Sequence, residues 1–302
     1  MFFEDVTVFA GYYFDWNDVD ESGEAVRLRR HWENDAPFSE IWQEFKETFD
    51  LGTVEALVIS DWWSYGDQYE ESLYLEPVLG LLTDDASQMT SLRALFIGER
   101  ERPSLGYMAD VTPVLEAFPQ LEYLTVRGNF GVALRPVRHD KVRDLRFESG
   151  GLPKVVVQGI AGSELTALEH LEVWLGAEEW GAGTTLDDLE PLLAGGRFPA
   201  LRHLGIRNSE FQDEIAVAVA RAPVVARLDS LSLSHGTLSD AGADALLDGQ
   251  SLTHLSRLDL QHNYLTAEAV RRVREALEPN GVEVDLSSTV GPDQERSVAI
   301  SE

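Results

Sequence analysis

The sequence predicts an α/β solenoid, a stack of short strand-and-helix units, and three observations lead to this prediction. The stretch "LSRLDLQHNYL" at 255–265 carries leucines at its first, fourth, sixth and eleventh positions and an asparagine at its ninth. The same aliphatic spacing recurs in tandem from residue 54 onward. Amphipathic helical patterns follow most of these stretches. Units that bury one face against the next share a continuous core, which is the architecture of a solenoid.

The spacing matches the leucine-rich-repeat template L-x-x-L-x-L-x-x-N-x-L, which the stretch at 255–265 fits at every position. The predicted fold is a horseshoe-shaped leucine-rich-repeat solenoid over 51–288, with a parallel sheet on the concave face and helices on the convex face. A last strand alone is predicted at 282–287. The eight copies of the repeat begin at Val54, Leu92, Leu121, Val142, Leu168, Leu201, Leu228 and Leu255.

Helical patterns follow the strand segments in most repeats, with Ser239 and Thr266 as the predicted N-caps of the last two helices. The unit that begins at Leu121 has 21 residues before the next copy, too few for a full helix. The predicted helices lie at 72–82, 111–118, 185–195, 214–222, 241–249 and 267–277.

The two ends of the chain lack the repeat pattern. Residues 5–14 and 24–32 predict the two strands of a hairpin, and the stripe of apolar residues at 38–49 predicts an amphipathic helix. Hairpin and helix together would form an N-terminal cap over 1–50, because a solenoid needs an atypical unit at its exposed end. The polar and aperiodic stretch 289–302 predicts a disordered tail.

Composition narrows the partners and the compartment. The 302 residues include 24 basic and 53 acidic side chains, a formal net charge of -29. Such a surface repels phosphate and anionic lipid, so neither a nucleic acid nor a membrane is an expected partner. The absence of cysteine excludes disulfide-bonded caps, and the N-terminus lacks the basic region of a signal peptide. A cytoplasmic location is therefore expected.

The strand segments define a concave surface. Side chains alternate across a strand, so the fourth and sixth repeat positions point inward and the third, fifth and seventh face the open concave side. In the third to sixth repeats these positions concentrate residue types that are enriched at protein interfaces. Alternatively, they form a ladder of salt bridges that solvates the sheet. The candidate partner-binding residues are Tyr123, Arg127, Arg146, Glu148, His170, Glu172, Trp174, His203 and Arg207.

Within this surface, Trp174 with Arg146 and Arg207 is the predicted centre of recognition. The three lie on neighbouring strands at outward positions, so they are expected to be exposed and to contribute little to the core. Substituting Trp174 and Arg207 together should therefore keep the fold and weaken partner capture.

A second candidate surface is an aromatic rim. The extra residues of the three longest repeats follow the strands, so they emerge on one edge of the horseshoe. These insertions contain Trp62, Trp63, Tyr65, Tyr69, Tyr107 and Trp180, and aromatic residues on loops are candidate binding anchors. Alternatively, they fold down over the edge of the solenoid as a small core.

One column of the concave surface could bind a metal. Asp144, His170 and His203 occupy the same repeat position on three successive strands, and imidazoles with a carboxylate can bind zinc. The sequence favours a hydrogen-bonded histidine pair, with no metal and no cofactor. It also contains no phosphate-binding glycine-rich loop, H-E-x-x-H or G-x-S-x-G motif, so no enzymatic activity is expected. A metal-dependent enzyme remains a minor alternative.

Several stretches, among them "VTPVLEAFPQLEYLTVRG", "LEHLEVWLG" and "REALEPNGVEVDLS", resemble a family of actinobacterial and other bacterial cytoplasmic leucine-rich-repeat proteins of unassigned activity. The resemblance covers about residues 40–287 and places the repeats in the ribonuclease-inhibitor-like superfamily. Members are encoded beside radical-SAM and ATP-grasp enzymes, so the resemblance implies an accessory or substrate-presenting role in peptide or natural-product modification.

The predicted function is a non-catalytic scaffold that recognises a protein or peptide through the concave face and the aromatic rim. The accessory-subunit role is the alternative.

Overall fold

A computed structural model of the chain describes residues 8–13, 24–30, 36–62, 73–98, 107–291 and 294–300. Ten strands form one parallel sheet in strict chain order, and a separate antiparallel hairpin pairs β1 (Val8–Phe9) with β2 (Tyr12–Tyr13). The strands of the large sheet are β3 (Ala25–Arg29), β4 (Ala56–Ser60), β5 (Ala94–Gly98), β6 (Tyr123–Arg127), β7 (Asp144–Glu148), β8 (His170–Gly176), β9 (His203–Ser209), β10 (Ser230–Ser232), β11 (Arg257–Asp259) and β12 (Glu283–Asp285).

Helices follow most of the strands. Short 3₁₀ turns occupy Glu178–Trp180, Pro223–Arg227 and Glu278–Asn280. The α-helices are α1 (Phe38–Thr48), α2 (Glu76–Asp84), α3 (Thr112–Ala117), α4 (Lys154–Gly162), α5 (Leu186–Leu193), α6 (Gln212–Val219), α7 (Asp240–Asp248) and α8 (Ala267–Leu277).

The register of the sheet follows the leucine spacing. Leu171 pairs with Leu204, and Leu204 pairs with Leu231, so the fourth repeat position forms one continuous inward column. The third position forms an outward column beside it, in which His170 pairs with His203. Side chains of a strand alternate between its two faces, and equivalent repeat positions pair with each other across the sheet. All residues predicted to point outward therefore lie on the same face. The predicted α/β leucine-rich-repeat solenoid is confirmed.

One apolar core runs through the repeats. The inward leucines and the buried faces of the helices belong to a single cluster that extends from Val26 to Leu286. One continuous cluster of this kind is expected of a solenoid, in which each repeat stacks on its neighbours. Among the residues that the structure describes, no helix is both long enough and apolar enough to cross a lipid bilayer.

Every predicted helix has a counterpart in the structure, and both predicted N-caps are present. The Ser239 hydroxyl accepts a hydrogen bond from the Ala241 backbone N–H, and the Thr266 hydroxyl accepts one from Ala269. The predicted helix at 38–49 is α1. The helix α4 was not predicted, because its valine run "KVVV" is typical of a strand. The connection between β6 and β7, which is fully described, contains no helix, as the short repeat predicted.

The N-terminal region differs from the prediction. The segment 24–32 was expected to pair with 5–14, but β3 instead joins the large sheet as its first strand, parallel to β4. The described hairpin is shorter, with β1 and β2 joined through Ala10 and Gly11. A strand with an alternating apolar pattern satisfies its backbone hydrogen bonds more fully on the edge of a sheet than in an isolated hairpin.

The C-terminal region also differs from the prediction. Residues 294–300 were expected to be disordered, but they lie against the last repeats with Val298 and Ile300 buried. Tyr264 fixes the start of this segment, since its hydroxyl accepts a hydrogen bond from the Ser297 backbone N–H and donates one to the Ser297 carbonyl. Arg296 adds an ion pair with Asp213, so apolar burial, backbone hydrogen bonds and one ion pair together hold a segment that lacks periodicity.

Candidate functional site

The concave face is partly covered at the N-terminal end. Small residues occupy the third position of the first strands, namely Ala25, Ala56 and Ala94, and this leaves space above the sheet. The β1–β2 hairpin fills that space, and Phe9 packs edge-on against Phe96 with ring centroids 6.0 Å apart. The hairpin therefore covers part of the concave face.

A cavity of about 710 Å³ remains over the middle and last repeats. Its walls extend from Phe9 and Ala10 at one end to His262 and Ser288 at the other. A volume of this size is within the range of ligand-binding sites. The cavity floor consists of the outward columns that the sequence predicted as the partner-binding surface.

Glu172 is the centre of the polar network on this floor. Its side chain lies across the neighbouring strand above Gly205, where an added Cβ would come within 2.9 Å of its Cγ. The Arg207 guanidinium donates to its Oε2 at 3.1 Å, and the Trp174 indole N–H donates to the same oxygen at 3.3 Å. Burial alone would raise the pKa of the Glu172 carboxyl, but the charge of Arg207 and the nearby histidines lower it well below its usual value.

The other predicted arginines are also paired. Arg127 is buried and its Nε lies 2.6 Å from Oε2 of Glu148 on the neighbouring strand. Arg146 makes a bidentate contact with Asp144 two residues before it, with both distances 2.7 Å. Arg127 and Arg146 therefore form ion pairs with carboxylates of the sheet, as the alternative of a salt-bridge ladder expected. Tyr123, half-buried, packs beside the small apolar residues under the hairpin.

Trp174 is not the exposed anchor that the sequence predicted. Only 5% of its surface is exposed, because Ile300 packs against it from the C-terminal segment. The Arg207 guanidinium carbon lies 4.5 Å from the centre of the indole ring, and the His235 ring stacks on it at 5.5 Å. Burial and the charge of Arg207 lower the pKa of His235 to about 3, so this imidazole stays neutral at physiological pH.

Asn208 holds the C-terminal segment by its backbone. Its side-chain amide donates to the Ile300 carbonyl at 2.7 Å, and its Oδ1 accepts from the Ile300 N–H at 3.0 Å. The Ala299 N–H donates to the His235 carbonyl at 2.9 Å. Asn208 is fully buried and adopts a φ of 54°, which asparagine tolerates better than most residues. We call Trp174, Asn208, His235 and Tyr264 the peptide clamp.

The residues of the predicted aromatic rim lie in different environments. Trp62 is a core residue, only 2% exposed, and belongs to the continuous apolar core of the repeats. Trp63, Tyr65 and Tyr69 lie outside the described residues. Trp180 is half-buried in a 3₁₀ turn, and its indole N–H donates to Glu179. Tyr74 and Tyr107, exposed by 39% and 45%, stack on each other with ring centroids 5.0 Å apart.

The carboxylate that lies next to the two histidines of the predicted column belongs to Glu172 and not to Asp144. Asp144 is held by Arg146, and Glu172 takes its place next to His170 and His203. One ligand atom from each of these three residues lies within 4.8 Å of the other two. The two imidazole rings are stacked, with centroids 3.9 Å apart. Burial lowers the pKa of the His203 imidazole, an effect that contact with Glu172 offsets only in part.

Sequence reasoning missed the residues of the clamp other than Trp174. Asn208 is the eighth residue of its repeat, whereas the template asparagine is the ninth, so it was not recognised as special. The sequence signal that could have identified Asn208 is an asparagine directly after Arg207, an arginine at an outward position. Ile300 has no counterpart in the repeat and carries no such signal.

Comparisons with known proteins concern the fold. No family model and no curated protein matches the chain. A crystal structure of a protein from Bacteroides fragilis is similar over 91% of this chain and 77% of its own, with a TM-score of 0.81 and 24% identity. An internalin from Listeria monocytogenes covers 83% of this chain and 70% of its own, with 14% identity and a TM-score of 0.39.

The Bacteroides protein therefore shares the fold of this chain, whereas the internalin likeness is too distant to carry an inference. The class that fold and site define is a leucine-rich-repeat solenoid of alternating strands and helices. Neither likeness bears on the actinobacterial family or on the ribonuclease-inhibitor-like superfamily.

Proposed function

We propose that the protein is a non-catalytic scaffold that binds an extended segment of a partner protein or peptide at the peptide clamp. The observation that carries the proposal is the docking of residues 297–300 of the chain itself. Asn208 contacts both backbone polar groups of Ile300, and the aliphatic side chain packs on Trp174. Contacts to the backbone supply affinity for any extended chain, and a pocket for a side chain adds selectivity.

The chemistry of the clamp defines the partner segment. Trp174, Arg207 and His235 present stacked flat faces, which suit an aliphatic or aromatic side chain. Arg207, which stacks on the clamp residue Trp174, is already paired with Glu172 and also donates to Ser234. We therefore propose an extended segment with a β-branched or aromatic residue at the position of Ile300.

In this account the C-terminal segment competes with the partner. A tethered segment acts at an effective concentration of about millimolar, so a partner must bind well enough to displace it. The accessory role implied by the family resemblance would be a special case, in which the displaced segment is replaced by a substrate peptide. The clamp, rather than the exposed tyrosines, would present it.

The test uses the chain's own segment as the probe. In the full-length Ile300→Asp variant, the charge should release the segment from Trp174. A synthetic peptide of residues 294–302 is then titrated in by calorimetry. We expect saturable one-to-one binding, and we expect no binding of the same peptide carrying Asp at position 300.

A second change identifies the clamp as the site. Asn208→Gly removes both backbone bonds, and glycine accepts the positive φ of this position without strain. Added to the Ile300→Asp variant, it should weaken binding by about tenfold or more, which is the loss of about 1.4 kcal/mol. Asn280→Gly, at an exposed asparagine, is the matched control and should change nothing. Equal binding to the Asn208 and Asn280 variants, or no binding to either, would reject the proposal.

A further inference from the structure

The buried pair of histidines on the cavity floor has an unusual feature. The Nε2 atoms of His170 and His203 are both shielded from solvent, and neither makes a hydrogen bond of acceptable geometry. A buried polar atom without a partner costs about 1–3 kcal/mol, so each such atom needs an explanation. Both atoms lie near the same carboxylate oxygen, Oε1 of Glu172.

The distances match those required by a metal ion. Two ligands that each lie about 2.0–2.1 Å from a tetrahedral zinc ion are about 3.3–3.4 Å apart. The His203 Nε2 lies 3.3 Å from Oε1 of Glu172, and the His170 Nε2 lies 3.7 Å from it. An imidazole nitrogen binds a metal in the plane of its ring, and the two rings are stacked with centroids 3.9 Å apart, so both side chains would have to turn about their χ angles to direct Nε2 at one ion.

The surrounding groups orient these ligands. The Nδ1 of His203 is 2.7 Å from the Ser230 hydroxyl, and a ligand imidazole typically fixes its second nitrogen in this way. Trp174 and the shorter hydrogen bond of Arg207 fix Oε2 of Glu172, while Oε1 lies toward the histidines and accepts a longer bond of 3.4 Å from Arg207. The charges of Arg207 and Arg146 oppose a cation, but Glu172, Asp259 and Asp144, which pairs with Arg146, offset them.

We propose that His170, His203 and Glu172 bind one divalent transition-metal ion of the zinc class on the concave floor. Two neutral imidazoles and one carboxylate are the donor set that such ions accept. Three protein ligands leave at least one coordination position, and Glu172 and His203 line the cavity. That position would be available to a carboxylate or imidazole of a peptide bound in the cavity. The metal ligands are not residues of the peptide clamp, although Glu172 accepts a hydrogen bond from the indole of Trp174.

The first experiment measures metal content and affinity in full-length protein produced without a polyhistidine tag. We expect one Zn²⁺ or Co²⁺ per chain by equilibrium dialysis with elemental analysis, and a tetrahedral Co²⁺ absorption spectrum. His170→Ala and His203→Gln should each weaken binding by about tenfold or more. His262→Asn is the matched control, an imidazole in the segment after β11 that is outside the group, and should bind as the wild type does.

A second measurement keeps the proposal testable if the variants do not fold. In the wild-type protein, the ¹⁵N resonances of the histidine rings are followed during addition of Zn²⁺. We expect the Nε2 signals of His170 and His203 alone to shift, saturating at one equivalent. Absence of binding at a tenfold excess of Zn²⁺, binding that is unchanged in both variants, or shifts confined to other histidines would each overturn the proposal.

Discussion

Replacing Arg207 by alanine should destabilise the protein strongly, in contrast to the small effect that the sequence suggested. Arg207 is the main cationic partner of Glu172, whose side chain is only 8% exposed. The change also removes the guanidinium from the face of Trp174 and from the Ser234 hydroxyl. The variant would leave a buried carboxylate with the indole N–H, two histidines and the more distant charge of Arg146.

The expected magnitude follows from this burial. Removing one partner of a buried ion pair costs about 3–5 kcal/mol, because the other charge remains buried without compensation. For a chain of this size, each kcal/mol lowers the melting temperature by about 2 °C. We therefore expect a fall of about 6–10 °C.

The assay is urea and thermal unfolding followed by circular dichroism. Arg271→Ala is the matched control, since Arg271 forms ion pairs with Glu268 and Glu275 on the exposed face of α8. Exposed pairs contribute about 0–1 kcal/mol, so this variant should melt within about 2 °C of the wild type. Arg207→Ala/Glu172→Gln should recover part of the loss, because no buried charge then remains unpaired. A loss for Arg207→Ala no larger than that of the control would refute the described network.

Three further predictions concern the fold. Gly159→Ala should lower the free energy of unfolding in urea by about 1–3 kcal/mol, because the new Cβ would meet the carbonyl oxygen of Leu134. Gly80→Ala, with open space around it, should be neutral or stabilising. Equal effects of the two changes would contradict the described packing of α4. Thr266→Ala should lower stability by about 0.5–2 kcal/mol through loss of the cap on α8, and Thr266→Ser should restore most of it. Burial alone would raise the pKa of Asp85, but hydrogen bonds from Lys46 and Trp42 outweigh it and lower the pKa. The carboxylate therefore stabilises the fold above about pH 4, and this contribution is lost as the pH falls further. The stability difference between wild type and Asp85→Asn should shrink on acidification, and a difference that grows would contradict the lowered pKa.

The repeats of the fold could be predicted because one local rule determines them. Leucines with fixed spacing must all point inward, so the register of Leu171, Leu204 and Leu231 follows from the sequence alone. The valine run of α4 was ambiguous, because β-branched residues favour strands and only packing against the sheet makes this segment helical.

The site could be predicted only in part, because its contacts link distant residues. The outward columns placed His170, Glu172 and His203 on neighbouring strands. Which carboxylate turns toward the histidines depends on Arg146, which binds Asp144 on its own strand. The contact of Asn208 with Ile300 spans 92 positions and includes a segment without periodicity. No local pattern predicts such a contact, and it is the one that buries Trp174.

The most direct test of peptide recognition at the clamp is a competition with ligands that are selected without reference to this chain. Peptides are selected from a random library against the Ile300→Asp variant, and the binders are then competed with the peptide of residues 294–302. We predict that they share an aliphatic or aromatic residue, are displaced by that peptide, and lose affinity on Asn208→Gly. Binders that the peptide does not displace, and that lose affinity on Tyr74→Ala with Tyr107→Ala, would place recognition on the rim and contradict the clamp.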